Sequence, residues 1–218
     1  RAQVAKEIEI LQVPQARLSD WIRQKLRPGA AVGFDPRLHT VSDVERLTDA
    51  LADRRIKLKP LARNPVDRIW GAERPPSPAG KVRPHPLRYA GRSAEEKIAA
   101  IQKGLKAESQ DAVVLTLPDS IAWLFNIRGS DVAHNPVPLA FAIVPAQGKP
   151  ELFISQEKLD AAARSHLAFA RISDPDALGD RLARLKAGRK RVRVDPDTAS
   201  WWIARQLGGP RRILRGQD

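Results

Sequence analysis

Cysteine is absent from the 218 residues of this chain. That excludes disulfide cross-links, thiolate-bound zinc and a cysteine nucleophile, and it fits folding in a reducing compartment. Methionine is absent too, and the chain begins at Arg1, so the natural start is expected upstream. No apolar run approaches the ~20 residues a helix needs to cross a bilayer, and no charged-then-apolar leader opens the chain. The expectations are a cytoplasmic location and no membrane partner. Neither a Gly-x-Ser-x-Gly elbow nor a glycine-rich phosphate loop occurs. The histidines His39, His85, His134 and His166 are scattered, with no second histidine or carboxylate at ligand spacing. No catalytic residue and no metal ligand is therefore assigned, and the chain alone is not expected to hydrolyse a substrate.

Acidic residues are in short supply. Lys and Arg number 38 against 25 Asp and Glu, a net charge of +13. Such a balance supplies non-specific affinity for phosphates. The densest block, RKRVR at 189–193, alternates its charges with Val192 and Val194, the pattern of a half-exposed strand with a solvated outer face. Stacking aromatics interleaved with basic residues are missing there, since Trp201 and Trp202 fall in a predicted helix. Weak, salt-sensitive contact with nucleic acid is expected, and no specific nucleic-acid partner.

The chain reads as two related halves. Residues 18–61 run helix, turn, strand, Asp35-Pro36, helix, strand, and residues 177–214 repeat that order around Asp195-Pro196. Apolar residues at helical spacing mark both copies: Val44, Leu47 and Leu51 in one, Leu178, Leu182 and Leu185 in the other. Matching order with an Asp-Pro after the strand suggests duplication. In the second copy Asp195 is expected to cap its helix, with Pro196 at the first helical position. Too little chain precedes Asp35 for a complete first copy. The expected organisation is the C-terminal part of a first domain at 1–72, a Pro-rich linker at 73–91, and a complete second domain at 92–218.

Within the second domain, Ser93 with Glu96 three residues on forms a capping box, and Ile98, Ile101 and Leu105 make the buried stripe of its helix. The run 111–117 (DAVVLTL) is a predicted buried strand. Strands are also predicted at 137–145, 149–154, 168–172, 191–194 and 211–214, and helices at 119–127, 157–165, 175–187 and 197–207. Residues 146–149 (AQGK) should close a hairpin, so one strand pair is antiparallel. The remaining alternation of strand and helix argues for parallel neighbours. The fold class is α/β, a mixed sheet flanked by helices.

The densest chemistry lies at 118–137, PDSIAWLFNIRGSDVAHNPV. A short helix capped by Asp119 or Ser120 is expected there, with Trp123 in the core and Gly129 as its stop. The polar group Arg128, Ser130, Asp131, His134 and Asn135 is then held at the mouth of a strand–helix–strand unit. Arg128 and Asp131 can pair across the turn, while His134 and Asn135 offer donors and acceptors to a ligand.

The segment IAWLFNIRGSDVAHNPVPLAFAIV (121–144), together with GFDPRLHT (33–40), NPVDRIW (64–70) and HPLRYAGRSAEEKIAAI (85–101), closely resembles the three-domain aminopeptidase P family of pita-bread metallopeptidases. The resemblance covers essentially the whole chain. It implies a creatinase/prolidase-type N-terminal fold and, for the full protein, removal of an N-terminal residue that precedes proline. It further implies two divalent metals, manganese or zinc, held in a C-terminal catalytic domain absent from this chain. The partners implied are peptides with proline second and a second copy of the protein in a homodimer. Arg128, Asp131, His134 and Asn135 become candidates for the substrate cleft. The alternative is a pita-bread relative whose domains bind a peptide or protein without catalysis.

Overall fold

The computed structural model describes residues 5–8, 10–13 and 16–218. Residues 1–4, 9, 14 and 15 lie outside it, and with them that part of the expected first unit. In the first half, α1 (Leu18–Lys25) leads to β1 (Ala31–Phe34), α2 (Val41–Leu51), β2 (Lys57–Pro60) and α3 (Pro65–Trp70). The second half holds β3 (Arg83–Pro84), α4 (Leu87–Ala90), α5 (Ala94–Ala107), β4 (Ala112–Leu115), α6 (Pro118–Leu124) and β5 (Ile127–Arg128). It continues with β6 (Phe141–Pro145), β7 (Glu151–Phe153), α7 (Ala161–His166), β8 (Arg171–Ser173), α8 (Leu178–Ala187), β9 (Val192–Val194), α9 (Trp201–Gln206) and β10 (Leu214–Arg215).

Six strands form the main sheet in the order β10-β9-β4-β6-β7-β8. β6 is antiparallel to both neighbours, and every other pair is parallel. The mixed sheet and the 146–149 hairpin thus match the sequence reading. All four residues of central β4 are buried, which is why its sequence is an unbroken apolar run rather than an alternation. Val113 and Leu115 face a core layer with Ile98, Leu105, Ile121 and Leu124 from α5 and α6. Ala112 and Val114 point the other way, onto Leu178, Leu182, Leu185 and Ile203 from α8 and α9. Helices therefore cover both faces, and the period-2 alternation of the strand decides which residue meets which helix. Ser93 caps α5 through the expected reciprocal bonds with Glu96.

The first half has its own small core of Ile22, Leu51 and Ile56 under the parallel β1–β2 pair. It meets the second half through reciprocal bonds at the N-termini of α2 and α9. Val41 N–H donates to Ala199 O and Ser42 N–H to Pro196 O, while Trp201 N–H donates to His39 O and Trp202 N–H to Pro36 O. Each helix thereby satisfies its otherwise orphaned first donors on the other's Asp-Pro turn. An isolated bridge joins Thr40 to Ser200, and Val41 is fully buried within the second half's core cluster.

Several local expectations are corrected. Asp195 does not cap α9: its carboxylate accepts from the N–H groups of Asp197 and Asp218, and the helix starts only after Ser200. Neither Asp119 nor Ser120 caps α6, which begins with Pro118 in its first turn after Leu117. That helix ends at Leu124, and the reversal is made by Asn126 at φ 50°. Gly129 serves another purpose. Ile127 and Arg128 form β5, antiparallel to β3, and Gly129 lies so close to Pro138 that an added Cβ would sit 2.6 Å from its nitrogen. The strand expected from 137 pairs only from Phe141, because Pro138 has no N–H for a ladder. Gly129→Ala is expected to destabilise the protein by roughly 1–3 kcal/mol, since backbone rather than a flexible side chain must yield. Urea unfolding measures this, and an unchanged midpoint means that the close approach is relieved without cost.

Candidate functional site

The 128–137 segment returns on itself as a narrow loop. Gly129 N–H donates to Pro136 O and Asp131 N–H to Val137 O, and at the tip Asn135 N–H closes on Val132 O. His134 sits at that tip in the left-handed region, φ 61°, exposed to solvent. Asn135 Nδ2 reaches back 3.3 Å to Asp119 Oδ1, which tethers the loop to the first turn of α6. His134 is thus presented at the surface, with the half-buried Asn135 beside it.

Asp131 points inward. Its carboxylate is fully enclosed and accepts from Lys158 Nζ at 2.6 Å, Leu139 N at 2.7 Å and Gly80 N at 2.9 Å. The Arg128–Asp131 pair expected from the sequence is therefore replaced by Lys158–Asp131. Arg128 instead bonds backbone oxygens, donating from Nη1 to Ile127 O at 2.8 Å and Ala122 O at 3.4 Å. The physical reason lies in the backbone: β5 turns Arg128 toward the end of α6, while Asp131 closes over the connection from the Pro-rich stretch. Of the four candidates, His134 faces solvent, Asn135 and Arg128 are half-buried, and Asp131 is a structural knot.

Trp123 departs furthest from expectation. It was expected in the core and is 54 % exposed. Ile121, Ala122 and Leu124 fill the inner side of α6, leaving position 123 on the outer side. Its support is Lys97, whose ammonium lies 4.2 Å from the indole centroid and donates to Trp123 O at 2.5 Å and Asn126 Oδ1 at 2.6 Å. Lys97 is only 2 % exposed and makes no ion pair among the described residues. Burial, with the positive charges of Arg128 and Arg92, holds its pKa below the usual lysine value. His85, whose N–H bonds Asn126 O, is likewise pushed down by burial, then by Arg128 and Lys97. The result is an exposed indole backed by cations. Sequence reasoning missed Lys97, Asn126 and His85. A signal existed for Lys97, since it stands beside Ala94, Ile98 and Ile101 on the apolar stripe of α5, where an unpaired lysine is unusual.

Among the described residues no three His, Asp or Glu side chains come together to hold a metal ion, and no helix is long and apolar enough to cross a membrane.

The sequence profile of the creatinase/prolidase N-terminal domain matches residues 73–218. The chain belongs to that family. The match takes in the Pro-rich stretch 73–91 as well as the six-stranded unit. A probable Xaa-Pro aminopeptidase P of Talaromyces stipitatus is 32% identical over 202 residues, covering 89% of this chain and 31% of that protein. One from Paracoccidioides lutzii is 35% identical over 206 residues, with 89% and 33% coverage. Among solved structures, an X-prolyl aminopeptidase of Caenorhabditis elegans, described as a cytosolic enzyme with a di-nuclear active site, aligns with a TM-score of 0.84 at 26% identity. That alignment covers 95% of this chain and 34% of the enzyme. This creatinase/prolidase N-terminal chain thus spans about a third of the length of the relatives it matches.

Removing Lys158 leaves the Asp131 carboxylate buried without a counter-charge. Lys158→Met should cost about 3 kcal/mol and lower the melting temperature by roughly 6–12 °C, at the lower end for a broken buried pair because two backbone donors remain. Calorimetry reads this directly, and a shift within error of zero means the pair is not what fixes the loop.

Proposed function

We propose that this chain is the non-catalytic N-terminal region of an Xaa-Pro metalloaminopeptidase, an enzyme that releases the N-terminal residue preceding proline. The observation that carries the reading is the alignment of both halves, over 95% of the chain, with about a third of an X-prolyl aminopeptidase. Residues 1–72 are then the C-terminal part of a first creatinase-type domain, 73–91 its connection, and 92–218 a second, complete domain. The reciprocal bonds between the Asp-Pro turns support that duplication, because each bond recurs with both partners displaced by 160 positions. Two divalent metals, manganese or zinc, belong to a catalytic domain beyond these residues, and the parent acts as a cytoplasmic homodimer.

In this reading the N-terminal region shapes access to the cleft. An X-Pro bond is a tertiary amide, and the rigid pyrrolidine ring needs a surface that accepts it. The exposed indole of Trp123 offers a flat apolar face, and Lys97 beneath it limits its motion. His134 and Asn135 present hydrogen-bonding groups from the adjoining loop, while Arg128 adds positive charge near the end of α6. Asp131 takes part indirectly, by fixing the loop.

In the full-length enzyme, Trp123→Ala, His134→Ala and Asn135→Ala should melt close to the parent yet lose roughly fivefold or more in kcat/KM on X-Pro peptides, the pattern of lost substrate contacts. Steady-state kinetics with melting curves provide the test. Unchanged kcat and KM in all three variants would show that the face is turned away from substrate.

A further inference from the structure

A cleft of about 550 Å³ opens where the two halves meet. Four arginines line it: Arg37, Arg63 and Arg68 from the first half, and Arg205 from α9. Of the two carboxylates in its wall, only Asp67 has a cationic partner among the described residues. Asp35 accepts from Arg37 N at 2.8 Å and from Asn64 Nδ2 at 2.8 Å, and Asp67 pairs with Arg74 at 2.8 Å. None of the four lining guanidiniums makes an ion pair among the described residues. Arg37 is fixed in place, its guanidinium carbon 4.1 Å from the centroid of the Trp202 ring. Stacking occupies one face of that guanidinium and leaves its N–H edge for a ligand.

We propose that this cleft binds a short chain of phosphates, as a free inorganic polyphosphate or as the phosphate tail of a nucleotide. The charge count favours phosphates over a carboxylate. Asp35 meets only neutral donors and so offsets one of the four guanidiniums, which leaves a surplus of three positive charges. A single carboxylate neutralises one of these, whereas a tri-anionic phosphate chain compensates them all. Planar guanidiniums also match phosphate oxygens two at a time. The cleft volume suits a small molecule, and concave walls concentrate the field of a chain carrying +13. The occupant would bridge the halves beside their reciprocal backbone bonds, so binding would stabilise both together. This inference is independent of the peptidase reading, because it uses none of the residues proposed to meet the peptide.

Titration calorimetry and thermal shift with sodium triphosphate and, separately, ATP test it at physiological salt. Arg63 and Arg205 are exposed and hold no side-chain partner among the described residues, so the double variant Arg63→Glu with Arg205→Glu should fold, as circular dichroism will check. Its affinity for triphosphate should fall roughly tenfold or more through loss and reversal of two charge-assisted contacts. The control, Lys103→Glu with Arg171→Glu, makes the same net charge change at exposed positions outside the cleft and should fall less than about twofold, the screened long-range effect alone. Equal affinity for triphosphate and ATP assigns the site to the phosphate chain, and tighter ATP binding adds a contact to the base. No binding of triphosphate at millimolar concentration overturns the proposal. So does an equal loss in cleft and control variants, or a preference for single-stranded RNA over triphosphate at matched phosphate concentration.

Discussion

One enclosed carboxylate holds together the polar segment from Arg128 to Asn135 and the chain segments around it. Asp131 gathers an ammonium from Lys158, the N–H of Leu139 at the entrance to β6, and the N–H of Gly80 from the Pro-rich stretch. Three segments distant in sequence are thereby tied to one atom group. A buried carboxylate is costly unless its lone pairs are filled, so the three donors have little freedom to leave. The Pro-rich stretch, short of N–H groups of its own, is ordered largely by such outside partners. Val82 N–H bonds Lys158 O in the same region, which makes Lys158 a partner of that stretch through both its ammonium and its carbonyl.

The loop that Asp131 anchors carries His134 and Asn135 at its tip, and the helix before it carries Trp123. His134 and Trp123 are exposed and Asn135 half-buried, each for a different reason. His134 occupies the left-handed apex of a tight turn, and Asn135 is pinned by Asp119 at the start of α6. Trp123 is left outside because Ile121, Ala122 and Leu124 already fill the inner face of a short helix. Lys97 then compensates, trading water for two carbonyl oxygens and an indole face. An exposed aromatic is held in this way against a buried ammonium.

Charge is distributed unevenly over the same scaffold. The cleft arginines Arg37, Arg63, Arg68 and Arg205 have no acidic side-chain partner among the described residues, whereas Glu45 and Arg215 span the halves with a bond of 2.6 Å. Among the described residues the junction is thus fastened by backbone bonds, the Glu45–Arg215 pair, the burial of Val41 and the Phe34–Trp201 and Arg37–Trp202 contacts, with surplus guanidiniums left beside it. An exposed ion pair contributes little, so most of the joining falls to the backbone bonds and the apolar and aromatic contacts. Aligned with one X-prolyl aminopeptidase over nearly the whole chain, the two halves keep a shared arrangement at 26% identity. Backbone bonds at a junction survive sequence change more readily than side-chain pairs do.

Much of the fold was legible because it rests on rules that act over a few residues. The apolar run of β4, the Ser93–Glu96 capping box, the 146–149 hairpin and the two Asp-Pro turns all declare themselves locally. The polar segment from Arg128 to Asn135 could be singled out for its composition, and its motifs pointed to the family that the comparison shows. The partners of those residues were not legible. Asp131 chose Lys158 rather than Arg128, Asp195 took the backbone of Asp218 rather than a helix end, and Trp123 turned outward. Each choice depends on where a distant segment returns, and propensity and periodicity contain no term for that. The sequence by itself determined most of the elements, their order and the family, but not the short β3–β5 pair or α4. Only the tertiary structure decided which carboxylate is buried, which indole is exposed, and which arginines line one cleft, because those outcomes are set by long-range packing.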